Sequence, residues 1–91
     1  MRIELTGRFR RGLRRLDGAG VDAAQGALDE VLAGFGRPHA HTGLGIRKLK
    51  GHWFECRAGL DLRLVFLAGQ GVLTFHVIGN HDDVRRFLAS V

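Results

Sequence analysis

Apolar residues recur every third or fourth position in the first third of the chain, which is the spacing of one helix face. We expect a helix over residues 8–16, with Thr6 as its N-cap. A second helix is expected over residues 21–35, ended by Gly36, and residues 17–20 are expected to form the turn between the two helices. The stripes predicted to be buried are Phe9, Leu13 and Leu16 in the first helix and Val21, Ala24, Leu28, Val31, Leu32 and Phe35 in the second.

The remainder of the chain follows the two-residue period of β-strands. Residues 2–5 predict a short edge-like strand, and a tight turn at 68–71 joins the two strands of a hairpin. Asn80 is expected to cap a short C-terminal helix, with Asp83 at the third helical position and with Val84, Phe87 and Leu88 buried. The other strands are predicted at 46–49, 53–58, 62–67 and 72–78.

This order predicts one α+β domain spanning residues 1–91. An N-terminal strand and a helical hairpin should pack on a mainly antiparallel four-stranded sheet, followed by a short C-terminal helix. The only cysteine is Cys56, which is expected to be a buried, inert thiol, so no intramolecular disulfide can form. No apolar run approaches the roughly 20 residues that span a bilayer, so a cytoplasmic protein without a membrane partner is expected.

Positive charge changes this picture, since 14 Lys and Arg against 9 Asp and Glu favour a polyanionic partner. Five arginines fall within residues 8–15, where they could contact phosphates, dock an acidic protein or remain solvated. A second group lies on predicted strands, and alternation should put Lys48 and Lys50 on the same side. Cations that converge on one sheet face would stabilise the transition state of phosphodiester cleavage, whereas the alternative is an ordinary polar face. This second group comprises Arg47, Lys48, Lys50, Arg57 and Arg63.

Histidines are the other candidate groups, with five in the chain. His81 follows the last predicted strand and opens the C-terminal helix, where it could transfer a proton near neutral pH or be a simple helix-start residue. Asp61 could accept a proton or form a salt bridge. His39 and His41 have no cysteine or carboxylate at ligand spacing, so neither a metal site nor a cofactor is expected.

Residues 41–88 resemble the RelE/ParE superfamily of toxin–antitoxin toxins. The matching pieces are, in order, RKLKG, an aromatic followed by ECR, LRLVF, a glycine turn and a hydrophobic strand ending in GNHDDVRRFL. The N-terminal strand and helical hairpin also fit. In the YafQ-like branch, Asp61 matches an aspartate and His81 matches the histidine of a Gly-x-His element. Arg57 stands where that branch has a histidine. At Arg63 this chain resembles RelE itself.

The chain departs from the family pattern at three points. Leu62 replaces an aromatic residue, the chain has no tyrosine, and an arginine of the last strand is replaced by Val77 or Ile78. These departures favour an inactive RelE-fold interaction module over a fully competent enzyme.

The resemblance implies a metal-independent, ribosome-associated endoribonuclease that cleaves mRNA. A cognate antitoxin would hold it silent in a hetero-oligomer. A ParE-like inhibitor of DNA gyrase without catalysis is the alternative, and the pairing of a histidine with an aspartate favours RNA cleavage over it. The site residues implied are His81, Asp61, Arg63 and Arg57 for catalysis and Lys48, Lys50, Arg47 and Arg85 for RNA binding.

Overall fold

Five strands in one sheet and three helices make up the part of the chain that the computed structural model describes, residues 1–37 and 45–91. The elements are β1 (Arg2–Leu5), α1 (Gly7–Arg14), α2 (Gly18–Gly34), β2 (Arg47–Lys50), β3 (Trp53–Ala58), β4 (Leu62–Ala68), β5 (Val72–Gly79) and α3 (His81–Ala89). The strand order is β1-β5-β4-β3-β2, with β1 parallel to β5 and the other neighbours antiparallel. The α+β class is confirmed, but the sheet has five strands rather than four. The fifth is β1, which pairs with β5 and turns Ile3 and Leu5 toward the core.

Side-chain caps begin both helices of the N-terminal hairpin. The Thr6 hydroxyl accepts a hydrogen bond from the Phe9 amide at 3.1 Å, as predicted. The Asp17 carboxylate accepts one from the Gly20 amide at 2.7 Å, so residues 17–20 are the cap and first turn of α2. The prediction of a separate turn there was wrong, because an aspartate that can form a turn can equally cap a helix.

The buried face of α2 differs from the predicted stripe. Val21 and Leu32 are 40% and 45% exposed, whereas Ala27 and Gly34 are buried. The buried face is therefore rotated about the helix axis toward Ala27 and Gly34, and the predicted burial of Val21 and Leu32 was wrong.

The helical hairpin covers one face of the sheet. Phe9 of α1 packs edge-on against Phe75 with 5.6 Å between ring centroids. Helix α1 crosses β5 at Gly12, where a Cβ atom would lie 2.5 Å from Cγ2 of Ile78. This close approach requires glycine at that position.

Helix α3 packs on the opposite face, where Val84 and Phe87 join Val65 and Val77 in a second, smaller core cluster. Val65 pairs with Val77 and the next residue of β4 pairs with Phe75, so His76 is the extra residue of a β-bulge. Its ring lies 4.9 Å from that of Trp53 and 6.1 Å from that of Phe87. Burial, together with the nearby Arg8 guanidinium, lowers the pKa of His76 below its ordinary value.

A register shift separates the two lysines of β2. Lys48 pairs with Phe54 and Lys50 with Trp53, and these two partners point to opposite faces of the sheet. The prediction that Lys48 and Lys50 share a side was wrong, because the irregularity between them interrupts the alternation. Lys50 lies toward α3, and its ammonium donates hydrogen bonds to the carbonyl oxygens of Leu88 (3.0 Å) and Val91 (2.7 Å).

Two further observations bear on the predicted partners. No helix within residues 1–37 and 45–91 is long and apolar enough to cross a membrane. His39 and His41, which were considered as metal ligands, lie outside the described residues.

Candidate active site

The end of β5 fixes the position of His81. Asn80 accepts a hydrogen bond from the Asp83 amide at 2.9 Å and donates its own amide to the Asp83 carboxylate at 2.9 Å, which is the predicted capping box. A Cβ atom at Gly79 would lie 2.7 Å from Cβ of Asp83, so glycine lets the helix start directly at the strand end. His81 is therefore the first residue of α3 and is exposed.

His81 shares one open groove with two other predicted catalytic residues, Asp61 and Arg63. The groove has a volume of about 460 Å³, and we call it the site groove. Arg63 of β4 lies directly opposite Gly79 in the sheet register, which brings it beside the start of α3, and Asp61 lies in the turn that leads into β4. The site groove is lined by Leu60, Asp61, Arg63, Asn80, His81 and Asp82.

Neither Asp61 nor His81 has a side-chain hydrogen bond or ion pair with any of residues 1–37 and 45–91. Both side chains are exposed and free to meet a ligand. Separate acid and base groups beside a cation are what proton transfer at a phosphate requires.

The arginines beside the site groove are organised by one buried carboxylate, that of Glu55. This residue is 2% exposed, and its Oε1 lies 2.9 Å from the Arg47 guanidinium and 3.4 Å from that of Arg63. Arg57 pairs directly with Arg63 across β3 and β4, so both side chains lie on the same face. One carboxylate thus pairs with two of these three arginines.

Arg57 is the cation of this group without an acidic partner in the described part of the chain. Its side chain is exposed, and its stem packs near Gly45. Like charges directly opposite each other on neighbouring strands are destabilising. An anion bound between Arg57 and Arg63 would relieve that repulsion.

The remaining predicted RNA-binding residues lie outside the site groove. Arg47 is on the same face as Arg57 but is engaged with Glu55. Lys48 belongs to the opposite face, and Lys50 is held by carbonyl oxygens at the end of α3. Arg85 is exposed on α3.

Sequence reasoning did not assign the site-groove residues Leu60, Asn80 and Asp82 to the site. Asn80 and Asp82 flank His81 in the chain, and that adjacency could have identified them. Leu60 is 98% exposed in the turn between β3 and β4, and a lone apolar residue in a turn carries no comparable signal.

The geometry also limits which other groups can react. Cys56 is buried, and burial together with the negative charges of Glu55 and Glu30 raises the pKa of its thiol to about 12. The thiolate is the reactive form of cysteine, so Cys56 is inert in the folded chain. No group of three or more His, Cys, Asp or Glu side chains within residues 1–37 and 45–91 is arranged to hold a metal ion.

No sequence-family model matches the chain, and no curated protein matches it by sequence. Solved structures do match it. A chain of the RelB–RelE antitoxin–toxin complex from Methanococcus jannaschii superposes with a TM-score of 0.70 at 14% identity, covering 92% of this chain and 96% of that one. The YoeB/ParE toxin from Agrobacterium tumefaciens superposes with a TM-score of 0.69 at 21% identity, covering 89% and 99%. YafQ from Escherichia coli superposes with a TM-score of 0.66 at 17% identity, covering 90% and 94%. The chain has the fold of the RelE/ParE toxins.

Proposed function

We propose that this chain is the toxin of a toxin–antitoxin pair and that it cleaves mRNA without a metal ion. The observation that carries the proposal is the meeting of Asp61, Arg63 and His81 around one open groove, on a chain with a formal net charge of +5. Proton-transfer groups beside a guanidinium match the needs of phosphodiester cleavage.

The reaction proposed for this groove is an internal transfer at phosphorus. The ribose 2′-hydroxyl attacks the adjacent phosphate, a P–O bond forms to that oxygen, and the bond to the 5′-oxygen of the next nucleotide breaks. One of His81 and Asp61 accepts the 2′-hydroxyl proton, and the other donates a proton to the leaving 5′-oxygen. The products are a 2′,3′-cyclic phosphate and a 5′-hydroxyl end. No water molecule is consumed in this step, and the proton transfers use side chains rather than a metal ion.

Arg63 and Arg57 have the role of binding the scissile phosphate. The negative charge on the phosphate oxygens grows as the transition state forms, and fixed guanidinium groups stabilise that charge. Glu55 supports this role because it holds Arg63 from the buried side at 3.4 Å while leaving the Arg63 side chain 22% exposed. Arg47, on the same face, has the proposed role of contacting the adjoining backbone. Lys48 lies on the other face of the sheet, which argues against its contacting the same stretch of RNA.

The partners proposed are a cognate antitoxin and the translating ribosome with its mRNA. Among the similar structures are complexes of RelE with RelB from Pyrococcus horikoshii and of YoeB with YefM from Staphylococcus aureus. The basic surface of this chain would suit an acidic segment of such an antitoxin.

The test is to express the chain alone and with the small reading frame next to its gene. Growth should stop in the first case and resume in the second, and the arrested cells should contain mRNA fragments with 5′-hydroxyl ends. DNA breaks and filamentation with continued early translation would instead identify a gyrase poison. Normal growth at a high level of folded chain would indicate that the chain is an inactive interaction module.

A further inference from the structure

A second groove runs between α1 and the end of β5 and adjoins the site groove. Its volume is about 570 Å³, and we call it the arginine groove. Arg8, Arg11 and Arg15 of the α1 segment line one side, and Leu16, Leu62 and Ile78 contribute apolar surface. Asn80 lines both grooves, so the two adjoin at the start of α3.

The three arginines of this groove carry uncompensated charge. All three are exposed, and none forms an ion pair with an acid among residues 1–37 and 45–91. Asp83 is the one acidic side chain that lines the groove in this part of the chain. Its carboxylate already accepts the Asn80 amide and pairs with Arg86, so it is not free to neutralise them.

The spacing of these arginines suits an extended polyanion. Arg8 and Arg15 are separated by about 10 Å along the helix axis at the usual helical rise. This exceeds the roughly 3.4 Å of helix axis per phosphate in one strand of a duplex, so the row can meet more than one phosphate. Arg8 is also held in place, because its guanidinium lies 5.1 Å from the centre of the Phe87 ring.

We infer that the arginine groove binds the single-stranded RNA that flanks the scissile phosphate. The inference rests on the proposed function, because the RNA enters through the site groove and continues past Asn80. An acidic protein segment would match the charge equally well. The adjacency of the two grooves at Asn80 favours RNA, since a strand whose phosphate lies at Arg63 must leave the site groove on one side or the other.

The test compares two double variants that remove the same charge from the same helix. R11Q/R15Q empties the arginine groove of two cations. R10Q/R14Q removes two arginines that line neither groove. Binding is measured by fluorescence anisotropy against a 12-nucleotide RNA with 2′-O-methyl riboses, which cannot be cleaved, over a range of salt concentrations. A trinucleotide of the same chemistry reports on the site groove alone, and circular dichroism checks the fold of each variant.

R11Q/R15Q should weaken binding of the 12-nucleotide RNA and leave the trinucleotide unaffected. The slope of log K against log salt is negative, and its magnitude falls by about 0.7 for each phosphate of a single strand that the protein no longer neutralises, so the loss of two such contacts reduces the magnitude by about 1.4. If the parent and R11Q/R15Q bind equally at 1 M salt, the variant should therefore bind about 25-fold more weakly than the parent at 0.1 M salt. R10Q/R14Q should retain the slope of the parent.

Equal losses in the two double variants would overturn the inference and leave RNA cleavage standing. Retained RNA affinity in R11Q/R15Q, together with weaker binding to the co-expressed antitoxin, would also overturn it and make the groove a protein-docking surface. If R11Q/R15Q weakens binding of the 12-nucleotide RNA and R10Q/R14Q does not, but the parent chain cleaves no RNA, the proposed function is overturned and RNA binding by the arginine groove is supported. A parent that binds no RNA, either free or on translating ribosomes, would overturn both.

Discussion

Replacing His81 with alanine separates catalysis from folding. The side chain is exposed at the first position of α3 and has no hydrogen bond or ion pair within the described residues. Surface substitutions of this kind change the free energy of unfolding by no more than about 0.5 kcal/mol. Proton transfer by a positioned side chain contributes about 10²- to 10⁴-fold in rate. At about 1.4 kcal/mol for each factor of ten, the activation barrier should rise by roughly 3 to 5 kcal/mol.

The assay is single-turnover cleavage of a labelled RNA by the purified chain, on translating ribosomes if free RNA is not cut. Thermal unfolding of the same samples gives the stability. His52→Ala is the matched control, because His52 is exposed in the turn between β2 and β3 and lies outside the site groove. Cleavage by His81→Ala within a factor of three of the parent would refute the assignment. A similar loss in His52→Ala would show that the effect is not specific to the groove.

Three further predictions concern stability and reactivity. Gly12→Ala should lower the free energy of unfolding by about 1–3 kcal/mol, because the added methyl group overpacks against Ile78. At Gly26 an added Cβ meets no atom within 4 Å, so Gly26→Ala should raise the free energy of unfolding by about 0.5–1 kcal/mol. Denaturant titrations that give equal effects for the two variants would contradict this. Cys56 should resist iodoacetamide at pH 8 in the folded chain and react after unfolding, because burial raises its pKa to about 12; labelling at the rate of a free thiol would disprove the burial. The pKa of His76 is lowered in the fold, so as the pH falls the unfolded chain binds a proton at this residue before the folded chain does. The contribution of neutral His76 to the free energy of unfolding is therefore present above about pH 6.5 and is lost on further acidification. His76→Gln should reduce the loss of thermal stability between pH 7 and pH 5, and an unchanged pH dependence would count against it.

Local patterns predicted most of the elements because each has its own signal. Strand β3 has the predicted bounds, and β4 and β5 each extend one residue beyond them. The cap at Asn80 is set by residues three positions apart, so a short stretch of sequence contains it. The pairing of β1 with β5 joins residues about 70 positions apart, and no local pattern specifies such a partner.

The errors have a common physical origin in contacts between elements. Val21 and Leu32 match a helical stripe, yet the packing of α2 against the sheet buries Ala27 and Gly34 instead. Periodicity finds a helix but not its rotation. In the same way, alternation assigns faces along β2 only until the register shifts between Lys48 and Lys50.

The candidate site shows the same difference between local features, which the sequence predicts, and contacts between elements, which it does not. His81 could be expected at the edge of the sheet, because the capping box that positions it is local. Its meeting with Asp61 depends on the pairing of β4 with β5, where Arg63 lies opposite Gly79. The sequence supplied each residue as a candidate, and the register determines which of them share a groove.

Like charges lie close to each other beside both grooves. Arg57 lies opposite Arg63, a pairing that sheets disfavour. Arg11 and Arg15 stand one helical turn apart on α1, where like charges weaken a helix. Glu55 balances only part of this charge, and the acid that lines the arginine groove is already engaged. A surface selected for stability alone would have alternated its charges, whereas a bound polyanion offsets every one of these repulsions at once. These repulsions lie beside the groove in which we propose that His81 and Asp61 act, and the proposed RNA ligand would offset them.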